Sequence, residues 1–235
     1  MLNFEKPIYK ITEYIENNNF GKFELEPLER GFGTTIGNAL RRVMLSSMPG
    51  SAIVAIRIDG VMHEFQTIDG IVEDVTTIVL NLKNVVVKNL TEETKELHLS
   101  VSEEGVVTAG DIKTDSDVEI INKDQVIATI SKGGKLDMDL IVSNGRGYVP
   151  SVDNKKFIEG NKIGFIPIDA LYSPVERVSY EIENARVGQD ANYDKLIMNV
   201  QTNGSLRPEE AMALASKTLI EHLNIIADLN EIADV

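Results

Sequence analysis

Apolar and polar residues alternate in short blocks along most of the chain, a period typical of half-buried β-strands. Residues 8–15 and 22–26 flank the turn sequence at 17–21 and predict a β-hairpin. The same pattern returns after residue 50. It predicts strands at 52–58, 85–88, 97–101, 118–121, 126–130 and 136–142, and two longer strands at 175–182 and 196–201.

Three segments instead place apolar residues about 3.6 positions apart, which predicts amphipathic helices. They cover about residues 34–47, 71–83 and 208–229. The last begins with Pro208, which suits a first helical turn, and two glutamates follow that favour the positive end of the helix dipole. Helices near both chain ends with β-rich blocks between them predict an α+β fold rather than alternating β-α-β units.

The first helix carries two kinds of surface. At about 100° per residue, its apolar stripe includes Ile36, Leu40, Val43 and Met44. We expect the opposite face to carry Asn38, Arg41, Arg42 and Leu45. Arginines beside a large apolar side chain are typical of interface centres, which favours a binding patch. A solvated arginine pair with an incidental exposed leucine explains the pattern equally well.

Three glycines at the start of this helix suggest nucleotide binding as an alternative function. Gly31, Gly33 and Gly37 are spaced G-x-G-x-x-x-G, one residue longer than the dinucleotide fingerprint, and no lysine follows Gly37 as a phosphate loop requires. We therefore expect structural roles. Gly31 and Gly33 would permit a sharp turn into the helix, and Gly37 would permit close approach of a neighbouring backbone.

Amino-acid composition narrows the range of functions that this chain can have. The 235 residues carry a net charge of −14, which disfavours direct binding to DNA or RNA. There are no cysteines, which suits a reducing cytoplasm, and no membrane span or signal peptide is apparent. The three histidines are far apart and match no metal-ligand spacing. We expect no catalytic residue, metal, cofactor or small-molecule ligand.

Six sequence blocks follow one another along nearly the whole chain. They are LERGFGTTIGNALRRVMLSSMPG (28–50), IDGVMHEF (58–65), VEDVTTIVLNLK (72–83), GRGYVP (145–150), YSPVERVSY (172–180) and NGSLRPEEAMALASKTLIEHL (203–223). In content, order and spacing they resemble the amino-terminal domain of the bacterial RNA polymerase alpha subunit.

The resemblance implies a fold in two parts. Residues 1–49 and 174–235 would form a dimerisation subdomain, and 50–173 would form a β-rich subdomain inserted between them. It also implies a function: a homodimeric, non-catalytic scaffold of a nucleotidyltransferase, on which the beta and beta-prime subunits assemble. Members of the family continue through a linker into a small DNA-binding domain, so promoter contact is not expected from these residues.

The resemblance also assigns roles to residues. It places the family's assembly arginine at Arg42 and the neighbouring leucine at Leu45, so the face that also holds Arg41 and Asn38 is expected to bind beta. Lys83 matches a position implicated in binding beta-prime. The two apolar stripes predict the homodimer interface. Its expected residues are Ile36, Leu40, Val43, Met44, Ala215, Leu219, Leu223 and Ile226.

Overall fold

The computed structural model describes residues 6–15, 19–158, 163–188 and 190–227. The chain divides into two compact units. The first combines Met1–Met48 with Pro174–Val235, so it is built from two distant parts of the sequence. The second is the continuous segment Pro49–Ser173. Within the described residues the fold is α+β, as predicted from the sequence.

The first unit is a four-stranded antiparallel sheet that packs against two helices. The strands are β1 (Ile8–Ile15), β2 (Phe20–Glu29), β13 (Val175–Val187) and β14 (Asp190–Thr202), in the order β1-β2-β14-β13. The helices are α1 (Phe32–Ser46) and α4 (Pro208–Ala227). Apolar residues of the sheet and both helices form one core, which includes Phe23, Met44, Met198 and Met212. The predicted β1–β2 hairpin is confirmed.

The second unit is built on another four-stranded antiparallel sheet. Its strands are β3 (Pro49–Ile58), β5 (Lys95–Val101), β9 (Leu136–Arg146) and β11 (Ile166–Pro167). They are arranged in the order β11-β3-β9-β5. Three two-stranded sheets add β4 (Val87–Asn89) with β7 (Val118–Ile120), β6 (Gly105–Thr108) with β8 (Val126–Ile130), and β10 (Tyr148–Val149) with β12 (Ala170–Leu171). Helices α2 (Val75–Leu82) and α3 (Ser151–Asn154) complete the unit.

Several element boundaries differ from the sequence prediction. Helix α2 begins at Val75 rather than at residue 71, because the Asp74 carboxylate accepts the Thr77 N–H at 2.8 Å and caps the helix there. Strand β6 was not predicted from the sequence, because its strand conformation comes from pairing with β8 rather than from its own composition. Strands β9, β13 and β14 extend further than predicted because their ladders continue through polar residues. Residues 228 and 229 of the predicted third helix lie outside the described part of the chain.

Candidate subunit interface

Helix α1 lies against strands β13 and β14, and its glycines make this close packing possible. Gly31 has a φ of 90°, a left-handed conformation that favours glycine. A Cβ on Gly33 would lie 2.9 Å from Cδ1 of Ile182. Gly33 lies within the helix, so its small size serves this close packing and not a sharp turn as expected. A Cβ on Gly37 would lie 2.8 Å from a ring carbon of Tyr180, so its close neighbour is a side chain and the expected backbone approach was wrong.

The N–H groups at the start of α1 are used by a carboxylate of the same chain. Oδ2 of Asp194 accepts the N–H of Gly31 at 2.8 Å and that of Gly33 at 3.2 Å. Free N–H groups at a helix start are what an anionic ligand such as a phosphate would bind. Since Asp194 already occupies two of them, the geometry favours a structural role for this glycine segment.

The core-facing side of α1 is defined by Gly33, Gly37, Leu40 and Met44, which are all buried. At about 100° per residue, Arg42 lies opposite this side and is exposed. Asn38 and Arg41 are also exposed, but Nε of Arg41 donates to the carbonyl of Val178 on β13 at 3.1 Å. Arg41 therefore links α1 to the sheet, whereas Arg42 faces outward.

Leu45 does not lie on the outward face as expected. It is half-buried and packs against the core of the first unit. The reason is geometric: α1 contacts the sheet and α4 together, so its buried arc is wider than one apolar stripe. Leu45 borders the arginine face and still offers part of its surface.

The residues expected at the dimer interface fall into three groups. Leu40, Met44 and Ala215 are buried within the single chain, with at most 7% of their surface exposed. Their burial leaves them little surface of their own for a partner, and their place in the dimer interface stays a prediction. Ile36, Val43 and Leu219 are half-buried against the same core. Leu223 and Ile226 are 59% and 61% exposed.

The last turns of α4 expose more apolar surface than the sequence stripe predicted. Ile220 and Ile225 are 56% and 69% exposed and join Leu223 and Ile226. These four residues are called the α4 apolar surface below. The signal was present in the sequence: four large aliphatic side chains within seven residues cannot all lie on one narrow stripe.

A small apolar cavity of about 210 Å³ lies elsewhere in the first unit. The rings of Tyr9 and Phe23 stack beside it, with centroids 5.8 Å apart. Leu40 of α1 and Met212 of α4 also line it. Burial, together with the negative charge of Glu209, raises the pKa of Tyr9 to about 12. The ring of this tyrosine faces an apolar space.

Lys83 follows the last residue of α2 and already has an intramolecular partner. Its Nζ lies 2.8 Å from Oδ2 of Asp169. The other carboxylate oxygen accepts the N–H of Ser151 at 2.8 Å. The hydrogen bond from Lys83, followed by that from Ser151, lowers the pKa of Asp169 to about 2. The side chain of Lys83 is 32% exposed and is held in place by this ion pair rather than free.

Two further findings on the described residues concern metal binding and membrane-spanning helices. Among them, no three His, Asp or Glu side chains are grouped so that they could hold a metal ion. No helix in the same part of the chain is long and apolar enough to cross a membrane.

Comparison with known proteins identifies the family. Residues 55–173 match the family model of the RNA polymerase Rpb3/RpoA insert domain. The DNA-directed RNA polymerase subunit alpha of Oceanobacillus iheyensis is 54% identical over 231 residues, which cover 98% of this chain and 73% of the relative. The chain belongs to the bacterial RNA polymerase alpha subunit family. The alpha subunit of Macrococcus caseolyticus is 53% identical over the same length and with the same coverage.

The match to the alpha subunit family confirms the resemblance found in the six sequence blocks. The insert-domain match ends at residue 173, which is also the last residue of the second compact unit. Lys83 and its partner Asp169 both lie within the matched segment. The arginines of α1 and the α4 apolar surface lie in the first unit, outside it.

Proposed function

We propose that this chain is the assembly part of an alpha subunit of bacterial DNA-directed RNA polymerase, corresponding to its amino-terminal domain. Two copies form a homodimer that serves as a scaffold for the beta and beta-prime subunits. The chain contributes to a nucleotidyltransferase without supplying a catalytic residue, a metal or a cofactor. Since transcription takes place where bacterial DNA is, we place it in the cytoplasm.

The proposal of a homodimer rests mainly on the α4 apolar surface. Ile220, Leu223, Ile225 and Ile226 are each more than half exposed. Several large apolar side chains exposed on one short helical segment are typical of a surface that another molecule covers. A second copy presents the same segment, so a two-fold arrangement can bury both. The half-buried side chains of Ile36, Val43 and Leu219 extend the apolar region, and the cavity beside Tyr9 offers a further apolar contact.

The arginine face of α1 supports the proposed binding of beta. Arg42 lies opposite the core-facing side, so a partner can reach its guanidinium without disturbing the fold. Arg41, Asn38 and the accessible part of Leu45 surround it. An arginine bordered by apolar surface is the combination that dominates the energy of many interfaces. Lys83, held by Asp169, is the proposed contact for beta-prime.

Neither nucleotides nor nucleic acid are proposed as ligands. The helix start that would receive a phosphate is occupied by Asp194. The net charge of −14 repels a phosphate backbone at long range. Calorimetry with ATP and with duplex DNA at physiological salt tests this directly. Micromolar affinity for either ligand would contradict the scaffold function.

Co-expression with the two large polymerase subunits tests the main proposal. An affinity tag on this chain should retain beta and beta-prime, and sedimentation of the chain alone should show a dimer at micromolar concentration. The variant Arg42→Ala serves as the control, because it should remain a dimer but no longer bind beta. A well-folded monomer that retains neither large subunit would overturn the proposal.

A further inference from the structure

One buried carboxylate fastens the start of α1 to strand β14. Asp194 is 9% exposed, and its Oδ2 accepts two backbone N–H groups from the first turn of the helix. A carboxylate at this position is favoured by the helix dipole, and hydrogen bonds to an ionised acceptor are roughly twice as strong as neutral ones. Nearby, Nη1 of Arg30 donates to Oδ1 of Asn192 at 3.2 Å, but this second link is exposed.

A second anchor holds the far part of the same helix. Nε of Arg41 donates to the carbonyl of Val178 on β13. Between the two anchors, Gly33 and Gly37 bring α1 against side chains of both strands. A helix attached at both ends of one face cannot slide along the sheet or rotate freely about its axis. The direction in which Arg42 points is therefore set by contacts that Arg42 does not make.

We infer that Asp194 is a positioning residue for the capture of beta. It fixes the position and rotation of α1 on the sheet, and through them the place at which Arg42 meets its partner. Asp194 is itself buried at the start of the helix, so its proposed effect on beta is indirect. This inference rests on the proposed function, because it concerns the orientation of the same arginine face.

The test compares four variants of the intact dimer with purified beta as the probe. Asp194→Ala removes the acceptor of both N–H groups and should weaken beta binding about tenfold, or ~1.4 kcal/mol. Asp194→Asn keeps an acceptor oxygen without the charge and should lose only about threefold, since neutral hydrogen bonds are weaker. Asn192→Ala, which removes the exposed link, should bind as the wild type does. Arg42→Ala serves as the reference for loss of the contact itself.

Affinity is measured per folded dimer, at a temperature at which every variant is fully folded. A purely structural role would lower thermal stability and leave this affinity unchanged. Amide hydrogen exchange adds an independent readout, because the N–H groups of Gly31 and Gly33 should exchange faster in Asp194→Ala while Val43 stays protected.

The outcomes separate this inference from the proposed function. If Arg42→Ala loses beta while Asp194→Ala binds it as the wild type does, the positioning role is wrong. If Asp194→Ala does not fold, the affinity of Asp194→Asn for beta is used instead. An affinity equal to that of the wild type then overturns the inference. If the wild-type dimer does not bind beta, or Arg42→Ala binds it normally, the proposed function itself is wrong.

Discussion

Gly37 of α1 lies against the ring of Tyr180 on β13, with no space between them for a side chain at position 37. A Cβ there would be 2.8 Å from Cδ2 of Tyr180 and 2.9 Å from Cδ1 of Leu196. Both distances are well below van der Waals contact. The small residue thus sets how closely the helix that carries Arg42 approaches the sheet.

Gly37→Ala should reduce the free energy of unfolding by about 1 kcal/mol. Helix propensity alone would favour alanine by ~0.5–1 kcal/mol, but an added methyl in a packed contact commonly costs about 1–3 kcal/mol. Denaturant unfolding measures the difference. Thr34→Ala, at an exposed position of the same helix, should change stability by no more than about 0.5 kcal/mol. A more stable Gly37→Ala variant would contradict the packing described.

Leu223→Glu should produce a folded monomer. Leu223 is 59% exposed, so the substitution leaves the core of the chain intact while placing a charge in the proposed dimer interface. Loss of a central interface residue commonly costs about 2 kcal/mol or more. Sedimentation velocity with circular dichroism reports association and folding separately.

Two controls define what the Leu223 result means. Lys217→Glu makes a larger change of charge at an exposed position of the same helix and should leave the dimer intact. Leu40→Asp places a charge in the core and should unfold the first unit. Leu223→Glu that sediments as the wild-type dimer does would remove the α4 apolar surface from the interface.

Arg42→Ala should give a folded dimer that binds beta at least about thirtyfold more weakly, corresponding to ~2 kcal/mol. The side chain lies opposite the core, so the effect should be confined to the partner. Co-purification with beta and sedimentation of the variant alone measure the two properties. Arg41→Ala should lose less affinity, although its bond to Val178 is also lost. Loss of the dimer with unchanged beta binding would mean that the outward face of α1 is assigned to the wrong partner.

Lys83→Met should lower the stability of the second unit at neutral pH. It should also make that stability depend less on pH in the acid range. The pKa of Asp169 is lowered from 3.8 to about 2, chiefly by the Lys83 hydrogen bond. The carboxylate therefore contributes stability that is present above about pH 4 and is lost as the pH falls toward 2. This contribution is no more than about 2 kcal/mol, since the pair is partly exposed to solvent.

Unfolding free energies measured between pH 2 and 6 check the Lys83 prediction. Lys135→Met removes a more exposed ion pair with Asp137 and should lower stability less than Lys83→Met does. An unchanged acid profile in Lys83→Met would show that the Asp169 pair contributes no stability.

Binding of beta-prime should depend on the ammonium of Lys83 rather than on its ion pair. Lys83→Met removes both, whereas Asp169→Asn removes the carboxylate charge and keeps the ammonium. We expect Lys83→Met to lose beta-prime and Asp169→Asn to retain most of it. Retention is measured by pull-down at a pH near 7, where both variants can be checked for folding. Equal losses in the two variants would indicate that the pair acts through the fold.

The local elements and the family could be predicted from the sequence alone. The hairpin at β1–β2 and the helices α1 and α4 follow from side-chain periodicity, which depends only on near neighbours. The six sequence blocks identified the alpha subunit family, which the comparisons confirm. The arginine pair on α1 could be recognised in the sequence because charged and apolar side chains occupy different sides of this helix.

Which residues of each stripe remain available to a partner depends on packing between elements and could not be predicted from the sequence. Leu40, Met44 and Ala215 share the periodicity of Leu223 and Ile226, yet packing within the first unit buries the first three and leaves the last two exposed. Leu45 was misplaced because the buried arc of α1 depends on α4 and on the sheet together. Asp194 was missed because it meets Gly31 across 163 positions of sequence. Periodicity records the geometry of one element, whereas burial and hydrogen-bond partners depend on elements that only folding brings together.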